Sequence, residues 1–221
     1  MKKEMNPANA QVRDATRDEI ARDLSNMRET EKRRIGVLVH SCCGPCSVSV
    51  MERLSEDFDV TLFFYNPNIT DAEEYERRLC AQRMAVEKYN AANFALGSVT
   101  LIVGRYEPER FFIAARGYEA EPEGGSRCER CFEFRLEKTV EYAALHGFER
   151  FTTTLSVSPH KDFATLARVG ARLGMRYGLS FLAEDFKKRA GFARTVELSK
   201  AFGLYRQTYC GCEFSRRESG G

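Results

Sequence analysis

The chain lacks any apolar run near the roughly 20 residues that cross a bilayer, which argues against a membrane-spanning helix. It also lacks an excess of either charge: 34 Lys and Arg stand against 32 Asp and Glu, a formal net charge of +2. A near-neutral total neither marks nor excludes a nucleic-acid surface, because binding depends on where the charge sits. No apolar leader follows Met-Lys-Lys-Glu-Met-Asn-Pro, so the expected setting is a reducing cytoplasm. Internal repeats and low-complexity tracts are missing too. The 43% hydrophobic and 30% charged content excludes disorder as the main state. A length of 221 residues suits one domain, with or without appendages.

Residues 1–34 carry dense charge of both signs and no sustained apolar stripe, and are expected to form an N-terminal extension. The remainder, 35–221, is expected to be a single α/β domain ending in a helical part and a tail with two cysteines. Ile35-Gly-Val-Leu-Val-His40 fits a buried parallel strand, and Gly44-Pro45 opens a helix to about Glu56. Phe58–Tyr65 and Val99–Val103 predict further strands, with helices over about Asp71–Asn90 and Pro108–Arg116. Ser126 and Glu129 have capping-box spacing, which predicts a helix start at Cys128. Phe132, Leu136, Val140 and Ala143 then recur as one apolar stripe. Phe151–Leu155 predicts a fourth strand, and helices are expected over about Asp162–Arg176 and Phe192–Ala201. This alternation implies an open, mostly parallel α/β sheet with flanking helices. In such a sheet Ser41-Cys42-Cys43, Tyr65–Asn68 and Leu155–Ser158 share the carboxyl rim where ligands bind.

What the chain has in abundance is cysteine: eight, of which seven fall in three tight groups. These are Cys42-Cys43-Gly-Pro-Cys46, Cys128-Glu-Arg-Cys131 and Cys210-Gly-Cys212. In a reducing setting such crowding points to metal or redox chemistry rather than structural disulfides. Thiolate is the ligand form, and a helix N-terminus favours it. Cys128 and Cys131 stand about one turn apart. With two sulfurs from Cys42, Cys43 and Cys46 they suit tetrahedral zinc or a [4Fe–4S] cluster equally well. Adjacent Cys42 and Cys43 favour iron–sulfur, because their vectors diverge. Cys210-Gly-Cys212 would close a small strained disulfide, the kind that is redox-active.

Other candidates carry plainer expectations. Cys80, between Leu79 and Ala81, is expected to be a packed core thiol. His40 and His146 are expected to be structural, and His160 is an acid or a loop hydrogen-bonder. Lys187-Lys188-Arg189 is expected to be a solvated helix start unless the partner carries phosphates. Phe111 and Phe112 are expected in the core.

His40-Ser-Cys-Cys-Gly-Pro-Cys-Ser47, Cys128-Glu-Arg-Cys-Phe-Glu-Phe-Arg-Leu136, Thr154–Asp162 and Tyr205–Ser215 together resemble the cobalamin-independent epoxyqueuosine reductases, the QueH family. The resemblance runs from about Ile35 to Ser215. It implies a fold related to nucleotide-binding (HUP/PP-loop-like) domains. It implies reduction of epoxyqueuosine at the tRNA wobble position, the last step of queuosine synthesis. Carried over, it makes Cys42, Cys43, Cys128 and Cys131 the ligands of a [4Fe–4S] cluster, and Cys210 and Cys212 a redox-active pair. Cys46 would bind an additional iron or replace one cluster ligand. Asp162 or His160 would supply a proton or a metal ligand. The implied partners are a tRNA anticodon stem-loop and an electron donor. Tyr65, Tyr205 and Tyr209 are candidates to stack on the splayed base, and Lys161, Lys187, Lys188, Arg189 and Arg206 to meet phosphates. Two other functions compete: a zinc-stabilised RNA-binding module, and a tRNA sulfur-transfer enzyme. The second usually has a glycine-serine ATP loop after the first strand, where this chain has Ser41-Cys-Cys-Gly-Pro-Cys46.

Overall fold

A computed structural model describes residues 34–92 and 98–218. The extension expected over 1–34 therefore lies outside the described residues, Arg34 apart. Five strands build one sheet: β1 (Ile35–Ser41), β2 (Phe58–Phe64), β3 (Thr100–Val103), β4 (Arg150–Thr153) and β5 (Ser180–Phe181). Their order is β3-β2-β1-β4-β5 and every pairing is parallel. The helices are α1 (Gly44–Leu54), α2 (Ala72–Ala92), α3 (Pro108–Ala115), α4 (Ser126–Leu145), α5 (Phe163–Tyr177), α6 (Gly191–Ala201) and α7 (Glu213–Glu218). A 3₁₀ turn, Thr154–Val157, follows β4 directly.

The two-residue period of the strands sorts side chains between two cores. Val37 and Val39 of β1 and Val60 and Leu62 of β2 pack with Val50 and Met51 of α1 and Ala85 and Tyr89 of α2. Leu38 and Phe151 turn the other way, onto Phe132, Leu136, Val140 and Ala143 of α4 and Leu166, Val169 and Leu173 of α5. The stripe expected on α4 is thus its buried face. Strand order reverses around β1, with β2 on one side and β4 on the other. The carboxyl ends of β1 and β4 therefore open the crevice where a parallel sheet binds its ligand.

Several local expectations are corrected. Helix α4 begins at Ser126 with Gly125 as its cap and no side-chain cap bond, so the capping box does not form. Glu129 instead meets Arg168 of α5 at 2.9 Å. The fourth strand stops at Thr153, because Thr154–Val157 winds into the 3₁₀ turn. Strand β5, two residues long, was too short to leave a periodic signal. Cys80 is exposed: the buried stripe of α2 runs through Tyr75, Arg78, Leu79, Gln82, Val86 and Tyr89, and Cys80 points off it. Phe111 is buried as expected, while Phe112 is 41% exposed. His146 caps α4 through its N–H to the Tyr142 carbonyl, as its place before Gly147 implied.

Candidate functional site

The first cysteine group sits where β1 gives way to α1. Cys43 is the N-cap of α1, yet its side chain makes no cap bond, so the sulfur stays free for other partners. Gly44 is required here because a Cβ would collide with the Ala81 carbonyl of α2. Ser47 Oγ donates to the Cys43 carbonyl at 2.9 Å and Ser41 Oγ bonds Gln82, which fixes the turn against α2. The sulfurs of Cys42, Cys43 and Cys46 all lie within 4.8 Å of one another. Hydrogen bonds from Cys43 and Cys46 hold Cys42 well below the usual thiol range against the opposing burial, helped by Arg135 and Thr154. The same bond to Cys42 pushes Cys43 up to about 12. A bound metal would take these sulfurs as thiolates and displace their protons.

Helix α4 supplies the second group. Cys128 is its third residue and accepts the Gly124 N–H at 3.2 Å; Cys131 is buried one turn on, and burial pushes it up to about 11. Arg135 follows after another turn and is 2% exposed. Its guanidinium donates to Asn66 Oδ1 at 2.6 Å and approaches Cys131 Sγ at 3.8 Å. Asn66 in turn donates to the Ser41 carbonyl at 2.9 Å, tying the ends of β1 and β2 to α4. The partners found for this buried cation are an amide oxygen and a sulfur, so thiolates are the negative charge available to it. His40 beneath is locked between Thr153 Oγ1 and the Tyr65 carbonyl, and burial lowers it to about 3, so its ring stays neutral and structural.

The tail brings the third group to the same place. Buried Arg78 of α2 ion-pairs Glu74 at 2.6 Å and donates to the carbonyls of Tyr209 (3.1 Å) and Cys210 (2.9 Å). Gly211 has φ +112°, and a Cβ would fall 3.0 Å from Arg78 and Ile69, so only glycine passes through this point. Cys210 Sγ accepts from Lys161 Nζ at 3.3 Å. Cys212 packs with Phe111, Ala115, Cys131 and Phe214 in one apolar cluster.

A cavity of about 350 Å³ opens at this rim, and Cys42, Cys46 and Cys210 line it together. Among the described residues the sulfurs close enough to share one metal ion are those of Cys42, Cys43 and Cys46. Cys131 packs with Cys212 in one cluster, and Cys42 packs against the core that holds Cys128. His160, Arg206 and Tyr209 also line the cavity. Asp162 does not; it caps α5, its Oδ2 accepting the Thr165 N–H at 2.7 Å. Tyr65 is no stacking platform, because it is buried beside Phe63 with its hydroxyl on Glu107. Tyr205 is 40% exposed and donates to Glu74 at 2.8 Å. Lys187 and Lys188 pair with Asp185, and Arg189 with Glu184, away from the cavity. Lys161 lines the cavity as well but is largely buried, with its Nζ on Cys210 and Glu123.

Asn66 and Asn68 line the cavity, as their place on the expected rim implied, while sequence reasoning missed Arg78, Glu123, Arg135 and Gln207, which line it too. Arg135 had a signal, lying one helical turn beyond Cys131 on the same face. Gln207, which donates to Cys43 Sγ at 3.1 Å, had none. The donor set around the rim is all sulfur, largely buried and accompanied by cations, which fits an iron–sulfur cluster or a thiolate-bound metal ion.

Residues 37–218 match the protein family described as "Epoxyqueuosine reductase QueH". Among curated proteins, the chain is 37% identical over 203 residues to the Epoxyqueuosine reductase QueH of Streptococcus pyogenes serotype M1, covering 92% of this chain and 79% of that one. It is 37% identical over 205 residues to the protein of that name from Staphylococcus epidermidis, covering 92% and 85%. To that of Thermotoga maritima it is 39% identical over 185 residues, covering 82% and 91%.

Proposed function

The chain belongs to the epoxyqueuosine reductase QueH family, and on that premise we propose that the cysteine-walled cavity is where it reduces epoxyqueuosine to queuosine in tRNA. This is the last step of queuosine synthesis and makes the protein an oxidoreductase. The observation that carries the reading is the common wall: sulfurs from the β1–α1 turn and from the tail face one cavity beside α4. Removing the epoxide oxygen as water takes two electrons and two protons. The Cys210–Cys212 pair supplies the two electrons and ends as a disulfide, which an external electron donor then reduces. One proton comes from the pair's thiol and the other from a group on the cavity rim. Cys42, Cys43, Cys128 and Cys131 would hold a [4Fe–4S] cluster, whose chemistry is one-electron transfer, and Cys46 an additional iron. Arg135 balances the charge of such a centre.

His160, exposed on the cavity rim, is the candidate proton source. Asp162 is the weaker one, since Thr165 hydrogen bonds hold its carboxyl below the usual range; full turnover in Asp162→Ala would discard it. Tyr209 and Arg206 on the rim are placed to meet the base and phosphates of an anticodon stem-loop. No described helix is long and apolar enough to cross a membrane.

Anaerobic purification with iron, sulfide and visible absorption measurements tests the reading. A band near 400 nm, on the order expected for thiolate–iron charge transfer, together with turnover supports it. Zinc alone and a colourless protein favour a non-catalytic, zinc-stabilised RNA-binding module. One observation favours that second reading: Cys42 and Cys43 sulfurs lie 3.8 Å apart, a separation two ligands of one tetrahedral ion would adopt.

A further inference from the structure

Lys161 is a buried lysine, 8% exposed, that the proposed chemistry does not yet use. It stands in the loop between the 3₁₀ turn and α5, where its N–H donates to the Ser158 carbonyl at 3.3 Å. Its Nζ lies 5.9 Å from the centre of the Phe132 ring, 3.3 Å from Cys210 Sγ and 3.5 Å from Glu123 Oε1. An ammonium taken out of water needs anionic partners. Glu123 provides one, but its other oxygen already accepts the Ser215 hydroxyl at 2.7 Å. The remaining partner is the sulfur of Cys210.

Cys212 has the opposite surroundings. It is buried in the apolar cluster with Phe111, Ala115, Cys131 and Phe214, and what reaches its sulfur is the Ser215 backbone N–H at 3.4 Å. Cys210 lines the cavity, and Cys212 does not. Resting on the reading of these two cysteines as a redox pair, we propose that Lys161 polarises the pair. Its ammonium holds the negative charge on Cys210, the sulfur facing the cavity.

The charges facing Cys210 agree in sum. Hydrogen bonding from Cys212 does most to favour its anion and burial opposes it, while Lys161 and Arg135 add to the anion's side and Glu123 to the other. Burial alone would lower Lys161, yet Cys210 and Glu123 hold its ammonium above the usual lysine range. The lysine therefore stays charged and acts as a positioning residue, not as a proton donor. Electrons leave the pair at the sulfur nearest the substrate, and the disulfide closes inward.

Alkylation of the reduced, anaerobically purified protein tests this. Limiting iodoacetamide or iodoacetate is added at pH 7, and the tryptic peptide 207–216 is sequenced by mass spectrometry. Cys210 is expected to take the label first, with the anionic reagent favoured relative to its preference for a free thiol. Lys161→Met should slow that labelling about 10-fold or more, since an unassisted cysteine is only a few per cent thiolate at this pH, and should remove the preference for iodoacetate. Lys161→Arg should restore both. First labelling at Cys212, or an unchanged rate and reagent preference in Lys161→Met, overturns the proposal. If Lys161→Met does not fold, the labelled position and reagent preference of the natural chain and of Lys161→Arg still decide it. Full turnover in both Cys210→Ser and Cys212→Ser would instead remove the redox reading itself, whichever sulfur takes the label.

Discussion

Helix α4 presents two faces made of the same residue types with opposite physical consequences. On its outer side Glu129, Glu133 and Glu137 form a ladder of ion pairs with Arg168, Arg172 and Arg176 of α5, at 2.8–2.9 Å. On its inner side Arg135 is buried among Asn66, Cys131 and the cavity. The ladder's arginines are 49–65% exposed, so water and salt screen each pair and its net contribution is about 0–1 kcal/mol. The inner guanidinium has lost its water, and its surroundings must supply negative charge or a lone pair. Charge on a solvated face is replaceable; charge that has lost its water is tied to whatever anion the site holds.

The sharpest way to break that contrast is Arg135→Met. It leaves all eight cysteines in place, removes the cation beside the thiolates and orphans Asn66 Oδ1. Metal affinity should fall about 10- to 100-fold, by analogy with the loss of residues that orient metal ligands. Stability should fall about 1–3 kcal/mol for the unpaired amide. Metal analysis and urea unfolding check both.

Gly211→Ala should act on the tail alone. Forcing alanine to φ +112° against Arg78 and Ile69 should cost about 1–3 kcal/mol and displace Cys210 and Cys212. Turnover should drop while metal content holds, which separates the tail from the metal-binding turn. Glu74→Gln is a smaller, pH-dependent change. Burial alone would raise the Glu74 carboxyl, but Arg78 and Tyr205 hold it below the usual range. Its stabilisation is complete above the unfolded-state pKa of about 4.5 and is lost as pH falls through the lower folded value. The variant's acid-unfolding curve should therefore be flatter than that of the natural chain below about pH 4.5. Smallest of all, Arg172→Ala on the ladder should shift stability by no more than about 1 kcal/mol and leave turnover unchanged.

The sheet was legible because Ile35–His40 and Phe58–Tyr65 are apolar runs ended by turn residues, and α4 because its stripe has helical period. The cysteine groups were legible because their spacing is dense and local. Arg78 was not, since nothing in its helix sequence marks it as an arginine that loses its water, whereas Arg135 was marked only by standing one turn beyond Cys131. Gly211 was legible only as a permissive residue; the close approach of Arg78 that requires it comes from a helix more than 130 residues away in sequence. Cys80 was misplaced because its apolar neighbours Leu79 and Ala81 are both buried while its own position turns outward.

The central claim is that the β1–α1 turn and α4 hold one shared metal centre, although more than 80 residues separate their cysteines. Iron and acid-labile sulfide per chain, measured side by side in Cys42→Ser and Cys131→Ser after anaerobic purification, test it most directly. One shared centre predicts that both variants lose iron and sulfide together. A full complement of both in either variant, with the fold intact, would contradict it.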